Sequence, residues 1–222
     1  MDKTNPSNPS QNVQFQIRHI PLKRIFDLLF SFICLVLGAP LFLLIGALIY
    51  FTSPGKILYA QLRLGRGGVP FRCYKFRTMH PDADKRLQDL LTAHPELRKE
   101  WEETFKLKQD PRITPIGAFL RKTSLDELPQ FWNVLKGDLS IVGPRPIVKE
   151  EAEKFFREKI SKILSVRPGV TGLWQVSGRS NISCYYTRIA LDEFYVDNQS
   201  FLFDLRLIAK TIPAILFSKG AY

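Results

Sequence analysis

Cysteine is scarce in this chain of 222 residues: Cys34, Cys73 and Cys184 are all it has. They form no C-x-x-C pair and their number is odd. That argues against a disulfide framework and a structural zinc site, and fits a reducing compartment. Histidine is equally sparse. His19, His80 and His94 are scattered, and His80 precedes Pro81-Asp82 in a polar turn that gives it no catalytic weight. No internal repeat is visible, which excludes a solenoid or propeller. Neither a P-loop nor a dinucleotide-binding glycine fingerprint occurs. Acid is in short supply too: 21 Asp and Glu against 32 Lys and Arg leave a net charge of +11. Such an excess calls for an anionic partner, whether nucleic acid, membrane head groups or phosphorylated substrates. No recognition-helix or base-stacking motif accompanies it, so no nucleic-acid partner is expected.

Charge of either sign is missing from residues 28–51. At about 24 residues this stretch is long enough for a bilayer core roughly 30 Å thick. It is too long, and begins too far into the chain, for a signal-peptide core. A buried helix of a soluble protein is the alternative. Pro40, beside Gly38 and Ala39, sits at the middle of the stretch. Proline removes a helix hydrogen bond and kinks the axis. Each half then gives roughly 17 Å of helix at about 1.5 Å per residue, half a bilayer core. Both flanks are basic: Arg18, Lys23 and Arg24 precede it, and residues 52–80 hold six cations and no acid. The positive-inside rule therefore gives a spanning helix no strong orientation. A re-entrant hairpin broken at Pro40 would put both flanks on one side and is the expectation.

The remainder has the composition of a folded chain, 45% hydrophobic and 12% aromatic, well above the disordered range. Residues 1–20, rich in Asn, Ser, Gln and Pro, read as a disordered tail. Residues 57–60 and 71–76 read as short strands joined by a Gly/Pro-rich turn. Charged helical patterning covers 82–107, a helix is expected over 125–135 closed by Gly137-Asp138, and another over 148–164. Residues 201–217 form an apolar helix carrying Arg206 and Lys210, suited to a core or to a membrane interface. The fold class is α+β, mainly helical. Its expected divisions are a tail at 1–20, the membrane helix at 21–52 and a catalytic domain at 53–222.

The segment Arg121-Lys122-Thr123-Ser124-Leu125-Asp126-Glu127 sets two carboxylates after two cations. Ser124-x-x-Glu127 has the form of a capping box, with Asp126 in a first turn that favours negative charge. Catalysis is the other reading. Gly143-Pro144-Arg145-Pro146 is a stiff loop presenting one arginine, whose planar fork suits phosphate as well as a surface acid. In the run 167–179, glycines permit close approach to a ligand, and Arg167, Gln175 and Arg179 are candidate phosphate or nucleotide contacts. Carboxylates are covalent nucleophiles at phosphorus. Facing an anionic diphosphate they need cations and a divalent metal, and Mg2+ binds through one or two carboxylates plus substrate phosphates.

Four motifs in order carry a resemblance: Tyr74-Lys75-Phe76-Arg77-Thr78-Met79, Ser124-Leu125-Asp126-Glu127-Leu128-Pro129-Gln130, Gly143-Pro144-Arg145-Pro146 and Arg167-Pro168-Gly169-Val170-Thr171-Gly172. Over residues 20–222 the chain resembles a bacterial sugar transferase of the monotopic phosphoglycosyl transferase family. The resemblance implies transfer of a sugar phosphate from a UDP-sugar to polyprenyl (undecaprenyl) phosphate with release of UMP. It places the nucleophile at Asp126, with Glu127 assisting the acceptor or Mg2+. Arg121, Arg145, Lys75, Arg77, Gln175 and Arg179 become the expected phosphate and substrate contacts, with Asp126 and Glu127 as metal ligands. It also implies a re-entrant helix broken at Pro40, a bacterial inner membrane location with the catalytic domain facing the cytoplasm, and contact with membrane lipid; a homodimer is left open. Relatives with an added N-terminal membrane domain would make this chain a minimal catalytic unit. The insert at 80–110 and the terminal Gly220-Ala221-Tyr222 are most like the subgroup handling hexose 1-phosphate, galactose in particular.

Overall fold

The structure is a computed structural model and describes residues 21–104, 107, 109–178 and 185–216. The expected tail at 1–20, Arg179 and Gly220-Ala221-Tyr222 lie outside the described residues. Helix α1 (Pro21–Thr52) comes first and holds Pro40 within it. It is long and apolar enough to enter a membrane, and only 17% of its most apolar window is buried. A soluble core helix would bury most of that surface, so the soluble-core alternative does not describe α1. The chain stays helical through Pro40, where a break was expected.

Both ends of α1 are nevertheless fixed to the rest of the molecule. Near its start Lys23, Asp27 and Ser31 are buried, and near its end Ile45 and Ile49 are. Ile45 and Ile49 share a core with Phe76 and Leu120. Between these anchors Ile33, Val36, Leu37, Leu43 and Leu44 are all more than half exposed.

Strands β1 (Leu58–Leu64) and β2 (Pro70–Phe76) pair antiparallel, with Leu58 opposite Phe76 and Leu64 opposite Pro70. The hairpin is where the short apolar runs and the Gly/Pro-rich turn put it, with β1 running further than expected. Alternation puts Phe71 and Cys73 on one face of β2, in a core with Val134 and Ile141, and Phe76 on the other, against Ile45, Ile49 and Leu120, since successive side chains face opposite sides of a strand. Residues 82–107 divide into α2 (Ala83–Ala93) and α3 (Pro95–Thr104). Pro95 is the cause: the residue before proline is pushed out of the helical region, and His94 is extended at φ −129°.

Helix α4 (Pro115–Thr123) starts on Thr114, whose Oγ1 accepts from the Gly117 N–H at 3.0 Å. A 3-10 turn (Leu125–Glu127) and α5 (Gln130–Lys136) follow. The single helix expected over 125–135 is thus split at Pro129. Gly137 closes α5 in the left-handed region, φ 92°, as its sequence indicated. Strand β3 (Ser140–Val142) pairs parallel with β4 (Gly169–Thr171). Between them lie α6 (Lys149–Glu151), π and 3-10 turns, and α7 (Ile160–Ile163). The helix expected over 148–164 is interrupted at Arg157, which stands at φ 39°. Short α8 (Leu173–Val176), α9 (Tyr185–Asn198) and α10 (Phe201–Leu216) complete the described fold.

The main core joins β2, α5, β3, α9 and α10 through Cys73, Val134, Ile141, Tyr195 and Leu207. Asn133, fully buried on α5, ties β2 to it: Oδ1 accepts from the Tyr74 N–H at 2.9 Å, and Nδ2 donates to Arg72 O at 2.7 Å. That bond fixes the strand carrying Lys75 against the helix that follows Asp126 and Glu127.

Candidate active site

The acidic pair reaches its position through a turn of handedness. Ser124 ends α4 in the left-handed region, φ 58°, and its backbone N–H is the one bonded to Arg121 O. Its side chain caps no N–H of the following turn, so the capping box is not made. A β-conformation is what an N-cap needs, and Ser124 does not have it. Asp126 and Glu127 instead lie on a 3-10 turn wedged between α4 and α5, where Asp126 is 7% exposed.

Lys75 on β2 meets both carboxylates, with Nζ 2.7 Å from Glu127 Oε1 and 3.7 Å from Asp126 Oδ2. Arg145 Nη1 lies 3.6 Å from the same Glu127 oxygen. Arg121 donates from Nε to Thr78 Oγ1 at 2.9 Å and its charge acts on Asp126. Burial, the largest influence, pushes the Asp126 carboxyl above the usual carboxylate range; Glu127 adds to this, while Lys75, Arg121 and Arg145 oppose it. Burial alone would lower the Arg145 pKa, but Glu127 and Glu151 outweigh it. The acidic pair, Lys75, Arg121 and Arg145 therefore form one electrostatic unit. Lys75, Glu127, Gln130 and Arg145 line a small cleft with Arg63 and Cys73.

The Arg145 loop is held by backbone against backbone. Gly143 donates its N–H to Thr171 O at 2.9 Å, and Gly169 donates to Pro144 O at 2.8 Å. A Cβ on Gly143, Gly169 or Gly172 would fall inside van der Waals contact with the facing main chain. The glycines of 167–179 permit a close approach, as expected of them, but the approach is to the proline–arginine loop. Gln175 packs at this crossing beside Gly172, 8% exposed, and does not line the cleft. Arg77 is turned elsewhere: its guanidinium bonds Ser53 O and, at 3.4 Å, Pro54 O at the end of α1. Arg167 donates to Gly137 O at 2.9 Å, at the end of α5 and outside the cleft. Arg179 lies outside the described residues.

Behind Arg145 is a buried polar cluster that sequence reasoning missed. The Trp174 ring faces the Arg145 and Arg188 guanidiniums at 5.5 and 5.2 Å. Glu151 lies 3.7 Å from Arg63 and 3.8 Å from Arg188. Asp192, 1% exposed, has Arg188 Nε 4.0 Å away and no hydrogen bond of good geometry among the described residues; the Arg145 N–H approaches it only loosely. These residues come from β1, α6, α8 and α9, and only an i, i+4 spacing of Arg188 and Asp192 on one helix was visible in advance.

Burial pushes the Asp192 pKa up to about 7 against the pull of Arg188 and Arg145. A free carboxylate ionises near pH 4, so from about pH 4 to 7 the unfolded chain has released a proton that the folded chain retains. Stability from this group is full below that window and declines as pH rises through it. Asp192→Asn is expected to unfold several degrees higher than the parent at about pH 8 and at nearly the same temperature at about pH 4. Thermal unfolding at the two pH values checks this; a variant less stable at the higher pH would mean that Arg188 pairing outweighs burial.

The donor set at the acidic pair consists of two adjacent carboxylates and fits Mg2+, an oxygen-binding cation satisfied by one or two carboxylates. Lys75 competes for the Glu127 oxygen. Among the described residues no group of three His, Cys, Asp or Glu converges.

Comparison with known proteins agrees with the geometry. The model of the bacterial sugar transferase family matches residues 18–218. The exopolysaccharide production protein ExoY of Rhizobium meliloti (strain 1021) is 48% identical over 200 residues, covering 90% of this chain and 88% of that protein. The undecaprenyl-phosphate galactose phosphotransferase of Salmonella typhimurium is 46% identical over 201 residues, covering 90% of this chain but 42% of the relative. The UDP-glucose:undecaprenyl-phosphate glucose-1-phosphate transferase of Caulobacter vibrioides is 35% identical over 224 residues, 98% of this chain and 76% of that one. A match that takes in the acidic pair, Lys75, the Arg145 loop and α1 together makes this chain an enzyme of the bacterial sugar transferase family.

Proposed function

We propose that this enzyme transfers a sugar 1-phosphate from a UDP-sugar to undecaprenyl phosphate, releasing UMP, as the first membrane step of a surface polysaccharide. The observation that carries this reading is Asp126, buried beside Lys75, Arg121 and Arg145. A hexose, galactose above glucose, is the favoured sugar. Relatives whose names specify galactose share 42–46% of aligned residues with this chain, against 35% for the glucose-1-phosphate transferase.

An Asp126 oxygen attacks the phosphorus bonded to the sugar. The bond from that phosphorus to the bridging oxygen breaks, and UMP leaves with the oxygen. An oxygen of undecaprenyl phosphate then attacks the phosphosugar, the bond to Asp126 breaks, and the carboxylate is restored. Lys75 and Arg145 hold Glu127 and keep positive charge where the diphosphate must sit. Arg121 is placed to offset charge on Asp126. Burial excludes water, which strengthens each of these interactions. Mg2+ held by Asp126 and Glu127 supplies neutralisation of diphosphate charge when bound.

The membrane reading rests on α1. Its two ends pack on the same domain while its middle stands exposed, which supports a re-entrant helix bent near Pro40 with both ends at one surface. The basic flanks favour the cytoplasmic face of the inner membrane, and α10, with Leu205 and Ile212 exposed, suits that interface. Cysteines introduced at either end of α1 should label from the same side of intact cells; labelling from opposite sides would rule out the hairpin.

A panel of UDP-sugars tests the reaction. UMP release is expected to depend on undecaprenyl phosphate for sustained turnover and to be strongest with UDP-galactose. Excess EDTA should abolish turnover and added Mg2+ restore it; full activity in EDTA would remove the metal from the scheme.

A further inference from the structure

A second cleft lies at the root of α1, lined by Lys23, Arg24, Asp27, Ser140, Arg167 and Gln199. None of these residues lines the reaction cleft. Lys23 is committed to Asp204 Oδ2 at 2.7 Å and Val142 O at 2.8 Å, and Asp27 Oδ1 accepts from the Ile141 N–H at 3.0 Å. Arg24 donates to Val134 O and Leu135 O at 2.8 and 3.2 Å, and Arg167 Nε to Gly137 O at 2.9 Å. The two arginines thus complete the carbonyl end of α5, which accounts for part of their donors. It does not account for the rest. Among the described residues neither terminal nitrogen of Arg167 makes a hydrogen bond. Ser140, 1% exposed, lines the cleft, and its buried hydroxyl has no partner among them either.

The charge balance points the same way. After burial, the guanidiniums of Arg66 and Arg24 are what press the Arg167 pKa down, with only Asp27 opposing. Like charges gathered around a partly buried fork are stabilised by an anion between them. The depth is also specific. Arg24 stands four residues before Leu28, where the uncharged run begins, or about 6 Å along the helix. With the apolar run in the bilayer, that is the depth of the lipid head groups.

We propose that this cleft binds the phosphate of an anionic membrane lipid through the Arg167 fork, Arg24 and the Ser140 hydroxyl, as a lipid site separate from the reaction cleft. The inference rests on the membrane placement of α1 proposed above. Bound there, the lipid phosphate completes the donors that α5 leaves over and fixes the root of α1 at the surface.

The test uses the full chain in nanodiscs, read without turnover. Lipids retained on the released protein are measured by native mass spectrometry from discs mixing phosphatidylglycerol with phosphatidylcholine. Disc incorporation, scored separately, reports failure of the membrane reading. The parent is expected to retain phosphatidylglycerol preferentially. Arg167→Gln should weaken that retention by about tenfold, the scale of a charge-assisted hydrogen-bonded pair, and Arg167→Lys by less. Ser140→Ala should lower it while leaving the unfolding temperature close to the parent's, which separates binding from folding. Equal retention by parent and Arg167→Gln, with both incorporated, overturns the proposal. So does binding of inorganic phosphate in detergent without any preference among lipids, which would make the ligand a free anion.

Discussion

Asp126→Asn should lose more than about a thousandfold in transfer rate, the scale on which loss of a covalent nucleophile acts. An amide cannot supply the attacking oxygen, and the change is nearly isosteric. The protein should still fold. Burial already works against the Asp126 charge, so an uncharged side chain of the same shape removes an unfavourable burial and keeps the 3-10 turn. Its unfolding temperature is expected at or above the parent's. The two readouts together are diagnostic. With a UDP-sugar and no lipid acceptor, the parent is expected to release about one equivalent of UMP per enzyme as the phosphosugar accumulates on it, and Asp126→Asn none. Turnover near the parent's rate would remove Asp126 from the nucleophile role.

Lys23→Met should cost about 3–5 kcal/mol, because breaking one side of a buried ion pair leaves the other charge uncompensated. Lys23 Nζ sits 2.7 Å from Asp204 Oδ2, and their side chains are 9% and 3% exposed. Tyr195 also donates to the other Asp204 oxygen at 2.8 Å and lies 3.1 Å from Val142 O. Replacing the lysine strands Asp204 with the tyrosine alone. It also removes the Lys23 bond to Val142 O, one residue before the glycine that opens the Arg145 loop. Denaturant unfolding in detergent measures the loss. Adding Asp204→Asn should recover a large part of it, since the stranded charge is then gone; no recovery would mean that Lys23 acts through Val142 rather than through the ion pair.

The comparison of these two residues shows where sequence reasoning reached and where it stopped. Asp126 and Glu127 were legible because an acidic pair stands out against a charge of +11 and belongs to a recognisable order of motifs. Lys23 read as part of the basic flank of a membrane stretch, with Asp27 merely at its edge. Their work is to hold α1 to β3, across more than a hundred residues of chain, and a one-dimensional pattern carries no signal for such pairing. Arg77 and Arg167 illustrate the opposite limit. Both sit in motifs that hold site residues, yet one braces the end of α1 and the other the end of α5. Composition identifies an arginine; the direction of its side chain is set by what packs around it.

Local rules governed what they govern. Short apolar runs around a Gly/Pro-rich turn placed the β1–β2 hairpin, Gly137 closed α5, and the uncharged run made α1, because each depends on neighbours along the chain. They failed where tertiary contacts compete with them. Ser124 was pulled left-handed between two helices and lost its capping role, and Arg157 interrupted a helix that its periodicity favoured. By itself the sequence determined that this protein has a long apolar helix, a mainly helical domain and an acidic pair among cations. Only the tertiary structure decided which cations meet that pair. Lys75 arrives from a strand and Arg145 from a loop locked by glycine contacts far along the chain, and long-range packing of that kind is specified by the whole fold.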